Sequence, residues 1–455
     1  MKEPLDQITK VKGDKKVMNA WAFYDWANSV YPLVITTAIF PLFFAGVTRS
    51  LGFVEYVNGE EVIYVYFMGL KLVNTFLITL ISAVYFLLIV LVMPILTGIA
   101  DYKGNKKSFL RFFCYLGSFS CMGLGLFDVN HLELSMIPFF TAGIGFWSSL
   151  VYYNAYLPEI AEEKDHDWLS AKGFSLGYFG SMLLLAICLV LVLSAADGQG
   201  ALMSKICFVL TGIWWFGFAH VTFNKMPVTE AKVLAEGESI FSKGFGEIRS
   251  VMKQVKKTVR LKRYITAFFV YSMAVQTIML MAVYFGEKEV DWGTTDSTMG
   301  LIISVLLIQL IAIPGAYGLS WVSSKIGNIK ALGIVILMWI ALCVSAYIVT
   351  KPVHFYIIAA FVGLVMGGVQ SLSRSTFSKF IPTGTKDTAS FFSFYDISEK
   401  MGIVIGMLSY GLIEQLTGTM RNSIVSLVIF FAVGFLLLLR IPKDEVLLSD
   451  SETID

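Results

Sequence analysis

Charge is scarce in this chain: 15% of its 455 residues are Asp, Glu, Lys or Arg, against 56% hydrophobic residues. Mean hydropathy is +0.72. A soluble domain carries about 25% charged residues, so this composition excludes a water-surrounded globule. Histidine is rarer still: His131, His166, His220 and His354 stand near the ends of apolar runs. No HExxH pair, histidine-rich cluster or GxSxG elbow occurs, which removes the grounds for an intramembrane hydrolase, and no enzyme is expected. No GxxxxGK[ST] loop occurs, so this chain alone is no ATP-driven pump. Cys114, Cys121, Cys188, Cys207 and Cys343 are scattered through apolar runs without CxxC or metal-ligand spacing, as small buried hydrophobes are. No cofactor, metal or nucleic-acid partner is expected.

Long apolar runs are what the chain has instead. A hydrocarbon core about 30 Å thick needs about 20 apolar residues per helix. Twelve segments meet that length, at about 18–46, 72–99, 109–127, 134–157, 171–194, 202–223, 262–285, 298–321, 329–350, 354–379, 388–415 and 422–440. The pattern predicts an all-α membrane protein with twelve transmembrane helices. The first run follows a charged arm, is too long for a signal h-region and lacks a small-residue cleavage site, so no cleavable signal is expected. With residues 1–17 on the cytoplasmic side, 28 of the 35 Lys and Arg fall at cytoplasmic positions, six lie outside, and Lys400 sits within a segment. Both termini are therefore expected in the cytoplasm.

The polar stretch Asn224–Arg263 splits the chain into two sets of six segments. The expected organisation is an N-terminal arm (1–17), a first bundle (18–223), a cytoplasmic linker (224–261), a second bundle (262–440) and a tail (441–455). Within the linker, Phe241, Phe245, Ile248, Met252, Val255 and Val259 recur at helical spacing opposite Lys253, Lys256, Lys257 and Arg260. Such a basic amphipathic helix suits an anionic membrane surface, although a plain positive-inside anchor explains the charge equally well.

Ordered matches relate the halves: Gly98–Lys107 to Gly318–Lys330, Tyr156-Leu157-Pro158 to Phe380-Ile381-Pro382, and Gly173-Phe174-Ser175 to Phe391-Phe392-Ser393. The offset stays between 218 and 224 residues, and an even number of spans per half makes the repeat parallel. Between the first two segments, Phe53–Tyr66 alternates around Asn58-Gly59, which predicts a small extracytoplasmic β-hairpin.

Gly98-Ile-Ala-Asp101-Tyr-Lys-Gly104-Asn105-Lys106-Lys107 resembles the motif G-x-x-x-D-R/K-x-G-R/K-R/K of major facilitator transporters. Asp101, Gly104 and Lys106 fall on its positions, whereas Thr97, Tyr102 and Asn105 depart from it. The resemblance implies a cytoplasmic gate in which Asp101 meets the N-terminal end of helix eleven; a loop charge that orients the chain is the plainer alternative. WAFYDWANSVYP (21–32), YYNAYLPEIA (152–161), SAKGFSLGYFGS (170–181), SRSTFSKFIP (373–382) and FFSFYDISEKMG (391–402) are similar to the "unknown major facilitator" group. Its fungal relatives are autophagy-related vacuolar amino-acid exporters. That resemblance implies a twelve-helix facilitator fold, peripheral helices 3, 6, 9 and 12, and amino-acid efflux.

The candidate site residues come from polar groups inside apolar segments. Asp25 is the most telling, because a carboxylate at the middle of a spanning helix costs at least ~2.5 kcal/mol. Asn28, Ser29, Pro32 and Thr36 share its helical face, opposite Trp21, Phe23, Val30, Leu33, Val34 and Phe40. Helix four adds Tyr152, Tyr153 and Asn154, helix five Ser175 and Tyr178, helix seven Tyr271 and Gln276, and helix eight Gln309. Helix ten adds Gln370 and Arg374, and helix eleven Asp396, Glu399 and Lys400, with Asp396 and Lys400 spaced to pair. Asp25 could hold a substrate ammonium and Arg374 or Lys400 its carboxylate, or these charges could be ion pairs of an inward gate. An unpaired carboxylate could carry a coupling proton. Glu159, Glu162, Glu163, Asp165 and Asp167 read as a solvated acidic loop. Pro32, Pro94 and Pro314 are expected to kink their helices, and Gly363, Gly367 and Gly368 to loosen or closely pack helix ten.

The function expected is a secondary transporter of small solutes, amino acids foremost, working as a monomer in a bacterial inner membrane with protons as a candidate coupling ion. A non-transporting nutrient sensor or a lipid scramblase on the same fold is the alternative.

Overall fold

The computed structural model describes residues 12–57, 60–196, 198–228, 240–293, 297–417 and 419–443. Within them the chain forms α1 (Lys15–Arg49), α2 (Asn74–Lys103), α3 (Lys106–Gly123), α4 (Leu132–Ala155), α5 (His166–Leu193) and α6 (Gly200–Phe223). A linker helix (Ile240–Lys257) precedes α7 (Val259–Glu289), α8 (Ser297–Ile326), α9 (Asn328–Ile348), α10 (Pro352–Phe380), α11 (Thr388–Thr417) and α12 (Met420–Leu439). Every expected segment is a helix. Among the described residues, eleven helices are long and apolar enough to cross a membrane; α11 has the length, 30 residues, but Asp396, Glu399 and Lys400 interrupt its apolar run.

The helix ends have local causes. Asp14 caps α1 by accepting from the Lys16 N–H at 2.7 Å, and the Gly13 N–H donates to Ile160 O at 2.8 Å. Gly104, at φ 63°, closes α2 in the left-handed conformation and donates its N–H to Ala100 O. The resemblance placed Gly104 in a gate; here it is the turn that aims α3. Glu289 at the end of α7 accepts from the Met420 N–H (2.9 Å), Thr419 Oγ1 (3.0 Å) and Arg421 Nε (2.8 Å), which fixes the start of α12.

Pro32 does not simply kink α1. A π-helical segment, Tyr31–Ile39, begins beside it, and Thr36 Oγ1 and Thr37 Oγ1 both donate to Pro32 O. Pro has no N–H to continue the α ladder, and wider winding is one way to absorb that loss.

The hairpin is present and longer than expected. Strands β1 (Val54–Val57), β2 (Glu60–Phe67) and β3 (Leu70–Val73) form an antiparallel sheet in that order. Val57 pairs with Glu60 across Asn58-Gly59, which lie outside the described residues. The third strand follows a second tight turn, Met68-Gly69, with positive φ at both residues.

The sheet marks one end of the bundle, the hairpin face. At the other end, the basic face, lie Gly104, the helical turn Leu157–Ile160 and the linker helix. The linker helix packs against α2, α7 and α11, with Val251 buried and Met252 exposed. Phe241, Phe245 and Ile248 lie outside the described side chains. The first six helices meet the last six through α2 against α11, α5 against α8 and α10, and α4 against α11. Gly363 and Gly367 of α10 are packing glycines: a Cβ there would come within 2.4 Å of Ile308 O and 2.2 Å of Ala312 O on α8.

Candidate functional site

Glycines on α5 set the distance at which α1 can pass. A Cβ on Gly177 would lie 2.4 Å from Ser29 Oγ, and one on Gly180 about 3.0 Å from the Trp26 ring. At Gly173 it would lie 2.4 Å from Asp25 Oδ2, 3.0 Å from an Arg374 nitrogen and 3.1 Å from the Tyr153 hydroxyl. That bare backbone leaves room for a buried ion pair. Arg374 donates to Asp25 Oδ2 from Nη1 at 3.1 Å and from Nη2 at 3.2 Å, and the Tyr153 hydroxyl donates to the same oxygen at 2.9 Å. Arg374 also donates from Nε to Ser170 Oγ (2.9 Å), from Nη2 to Ser170 O (2.9 Å) and from Nη1 to Asn154 Oδ1 (3.3 Å). Phe174 and Trp21 lie 4.1 and 4.9 Å from the guanidinium carbon. The five N–H groups of an arginine are thereby all engaged.

Beside this pair lies a cavity between the two sets, with an empty volume of about 1200 Å³ that is partly open to solvent. Asp25, Asn28, Asn154, Gln276, Gln370, Arg374 and Glu399 line it, among Phe174, Phe268, Tyr271 and Tyr395. Its walls come from α1, α4, α5, α7, α8, α10 and α11, and none of its lining comes from α3, α6, α9 or α12. Gln276 Nε2 donates to Glu399 Oε1 at 2.6 Å, and the Tyr178 hydroxyl donates to Gln370 Oε1 across the two sets. Asn28 Nδ2 and Gln309 Oε1 are buried without a hydrogen-bond partner.

Several expected site residues stand elsewhere. Asp396 and Lys400 pair along α11, as their spacing suggested, but neither lines the cavity. Lys400 lays its ammonium 4.2 Å from the centre of the Trp147 ring and does not reach Asp25, whose cationic partner is Arg374. Tyr153 acts from behind Asp25. Along α1 the wider winding of the π segment turns Thr37 and Leu33 into the cavity lining, where α periodicity predicted Thr36. Trp21, expected on the outer side, stacks on Tyr153 at 4.5 Å between ring centroids.

Two buried joints lie between the cavity and the basic face. In one, Asp101 accepts the Ala389 N–H (3.2 Å) and the Ser390 N–H (2.7 Å) in the first turn of α11. Lys106 bonds Glu159 and Thr388 Oγ1 and sits 3.5 Å from Asp101. In the other, Asp167 of α5 accepts from Lys379 Nζ (2.7 Å), Ser323 Oγ (2.6 Å) and Asn328 Nδ2 (2.7 Å). The reading of Glu159 and Asp167 as solvated loop acids is therefore corrected: they are 7% and 5% exposed, and each has a lysine partner. Glu162 and Glu163 are exposed as expected. The repeat offset carried the missed signal, since Glu159 and Lys379 stand 220 residues apart and Lys106 and Asn328 stand 222 apart.

Among described residues, every hydrogen bond between the two sets lies at the level of Tyr178–Gln370 or nearer the basic face. Tyr178 is twelve residues into α5, so these bonds span roughly 18 Å of helix at 1.5 Å per residue. No cluster of metal-ligating side chains occurs among the described residues.

Comparison with known proteins agrees with this architecture. Residues 13–446 match the family described as "Vacuole effluxer Atg22 like". The MFS-type transporter YxiO of Bacillus subtilis, itself uncharacterized, is 30% identical over 434 residues, covering 94% of this chain and 95% of that protein. Autophagy-related protein 22 of Vanderwaltozyma polyspora is 26% identical over 367 residues, 73% of this chain and 65% of the fungal protein. Among solved structures, the MFS transporter FucP in its outward conformation, elsewhere described as the E. coli fucose:proton symporter, superposes with a TM-score of 0.67 at 14% identity, covering 95% of this chain and 99% of that one. The proton:xylose symporter XylE gives 0.65 at 12% identity, covering 95% and 96%. Those likenesses establish the fold, and the family match goes further: this chain belongs to the Vacuole effluxer Atg22 like family and is a multi-pass major facilitator superfamily transporter rather than an enzyme.

Proposed function

We propose that the chain exports amino acids from the cytoplasm by alternating access, coupled to protons, with the two sets of helices rocking about the cavity between them. One observation carries this: the Asp25–Arg374 pair joins the first set to the last at the base of a cavity that is partly open to solvent. In this state the basic face is shut, and opening it requires that pair and both joints beneath it to separate. With the basic face in the cytoplasm, as the positive-inside rule requires, the state is outward-facing and both termini are cytoplasmic. The lining mixes amides and carboxylates with aromatic rings, which suits a small solute with charged ends and an apolar side chain. The vacuole effluxer family supports export, and the amino-acid substrate follows from the motif resemblance in the sequence; the fucose and xylose transporters that share the fold are proton symporters, which supports the coupling.

Counterflow of a panel of neutral amino acids into proteoliposomes, with and without an imposed pH gradient, tests this reading. Saturable counterflow of at least one member that responds to the gradient is expected. A panel with no flux overturns it, and binding without flux identifies a sensor instead.

A further inference from the structure

Five charged side chains surround the cavity floor, and four of them are spoken for. Asp25 takes two bonds from Arg374 and one from Tyr153, while Arg374 spends its remaining donors on Ser170 and Asn154. Asp396 and Lys400 pair with each other off the cavity. Glu399 is left over. Its Oε1 receives one bond, from the neutral amide of Gln276, and its Oε2 lies 3.9 Å from Lys400 Nζ, beyond hydrogen-bond length. Its side chain is 21% exposed, against 8% or less for the other four.

The groups around Glu399 do not supply the missing charge. From α7 come Gln276 and Tyr271, from α10 the fully engaged Arg374, from α1 Asp25, and from α11 itself Tyr395, Asp396 and Lys400. The charged residues of α2 and α4 stand at helix ends, Asp101 and Lys103 at the basic face and Glu133 at the hairpin face. The cluster thus carries one negative charge over, on the carboxylate with the greatest access to the cavity. An uncompensated charge that is mostly withdrawn from water is costly, and binding one positive charge relieves it.

We propose that Glu399 is the charge-binding site of the cavity, taking one positive charge as a proton or as the ammonium group of the solute, while Asp25 serves to hold α1 against α10. This deepens the transport reading above and rests on it. Occupied, Glu399 becomes neutral or paired and the floor of the cavity carries no net charge. Arg374 has no free N–H for a solute carboxylate until its bonds to Asp25 and Ser170 part, so charge binding precedes opening of the basic face.

Infrared difference spectra of the full chain in lipid, recorded between alkaline and acidic buffer, read the protonated carboxyl C=O band without needing flux. The wild type and Asp25→Asn should show the band, Glu399→Gln should lose it, and Glu399→Asp should displace it. Adding saturating leucine in acidic buffer separates the two sources: a band that vanishes marks displacement by ammonium, and one that stays marks a proton site. A band intact in Glu399→Gln, lost in Asp25→Asn, or unmoved in Glu399→Asp overturns the proposal. Should Glu399→Gln fail to elute as a monodisperse peak, the Glu399→Asp spectrum decides alone. Failure of amino-acid counterflow would overturn the transport reading and leave this spectrum unaffected.

Discussion

Arg374 makes no bond that its own protein does not satisfy, and that changes what its loss should do. Truncating it to alanine strands Asp25 in a site where its side chain is 5% exposed. Removing one partner of a buried pair costs about 3–5 kcal/mol. Arg374→Ala should therefore unfold at a markedly lower temperature in detergent, and adding Asp25→Asn should recover part of the loss; a double variant as unstable as the sum of the singles would show that the pair is not coupled. Gly173→Ala puts a methyl 2.4 Å from Asp25 Oδ2, inside contact distance. It should abolish counterflow while leaving the protein monodisperse, since only side-chain ends have to move, those of the ion pair and the Tyr153 hydroxyl. Of this arrangement the sequence made Asp25 and Arg374 visible as charges inside apolar runs and offered an ion pair between them as one of two readings, with Lys400 as the other candidate partner. Tyr153 was one hydroxyl among several, 128 residues from the carboxylate it bonds. Glu159 and Asp167 were misread because exposed and buried acids look alike in a loop, and only their lysine partners in the folded chain tell them apart.

At the scale of the element, α1 shows where periodicity misleads. Its existence and span were plain from hydropathy, as was the proline that disturbs it. The phase beyond that proline was not, because a π segment closes its hydrogen bonds over five residues where an α-helix closes them over four, and this wider winding turns the next polar residue in line from Thr36 to Thr37. A cysteine at Thr37 should react with a water-soluble maleimide, and one at Thr36 should react far more slowly. Equal rates, or the reverse order, would mean that α1 is wound as an ordinary helix there. The third strand was missed for a related reason: a Met-Gly turn carries a weaker hairpin signal than Asn-Gly, so Leu72 and Val73 passed for the start of α2. Helices α5 and α10 were legible as helices, but whether their glycines bend or pack depends on what lies opposite, and that is backbone carbonyls of α8 for α10 and side chains of α1 for α5.

Over the whole molecule the repeat was readable and the conformation was not, because one sequence must serve every state of the transport cycle. The state seen here is held shut at the basic face by two joints that the repeat relates with their charges changed: Glu159, in the helical turn that follows α4, occupies the place of Lys379 at the end of α10. Each joint centres on a charged hydrogen bond, worth about 1.5–3 kcal/mol. Since about 1.4 kcal/mol is tenfold in a population, loss of one such bond should shift the balance toward the opened basic face by roughly 10- to 100-fold. Spin labels at Lys164→Cys and Lys325→Cys, both exposed and on opposite sides of the α5–α8 joint, read that opening as a longer distance. Asp167→Asn should populate the longer distance, because the amide keeps the hydrogen-bond acceptor for Ser323 but not the charge that Lys379 needs. Asp101→Asn should do the same from the other joint, through loss of the charge on the first turn of α11. If neither variant lengthens the distance while both still fold, the joints are packing features and the Asp25–Arg374 pair alone keeps the basic face closed.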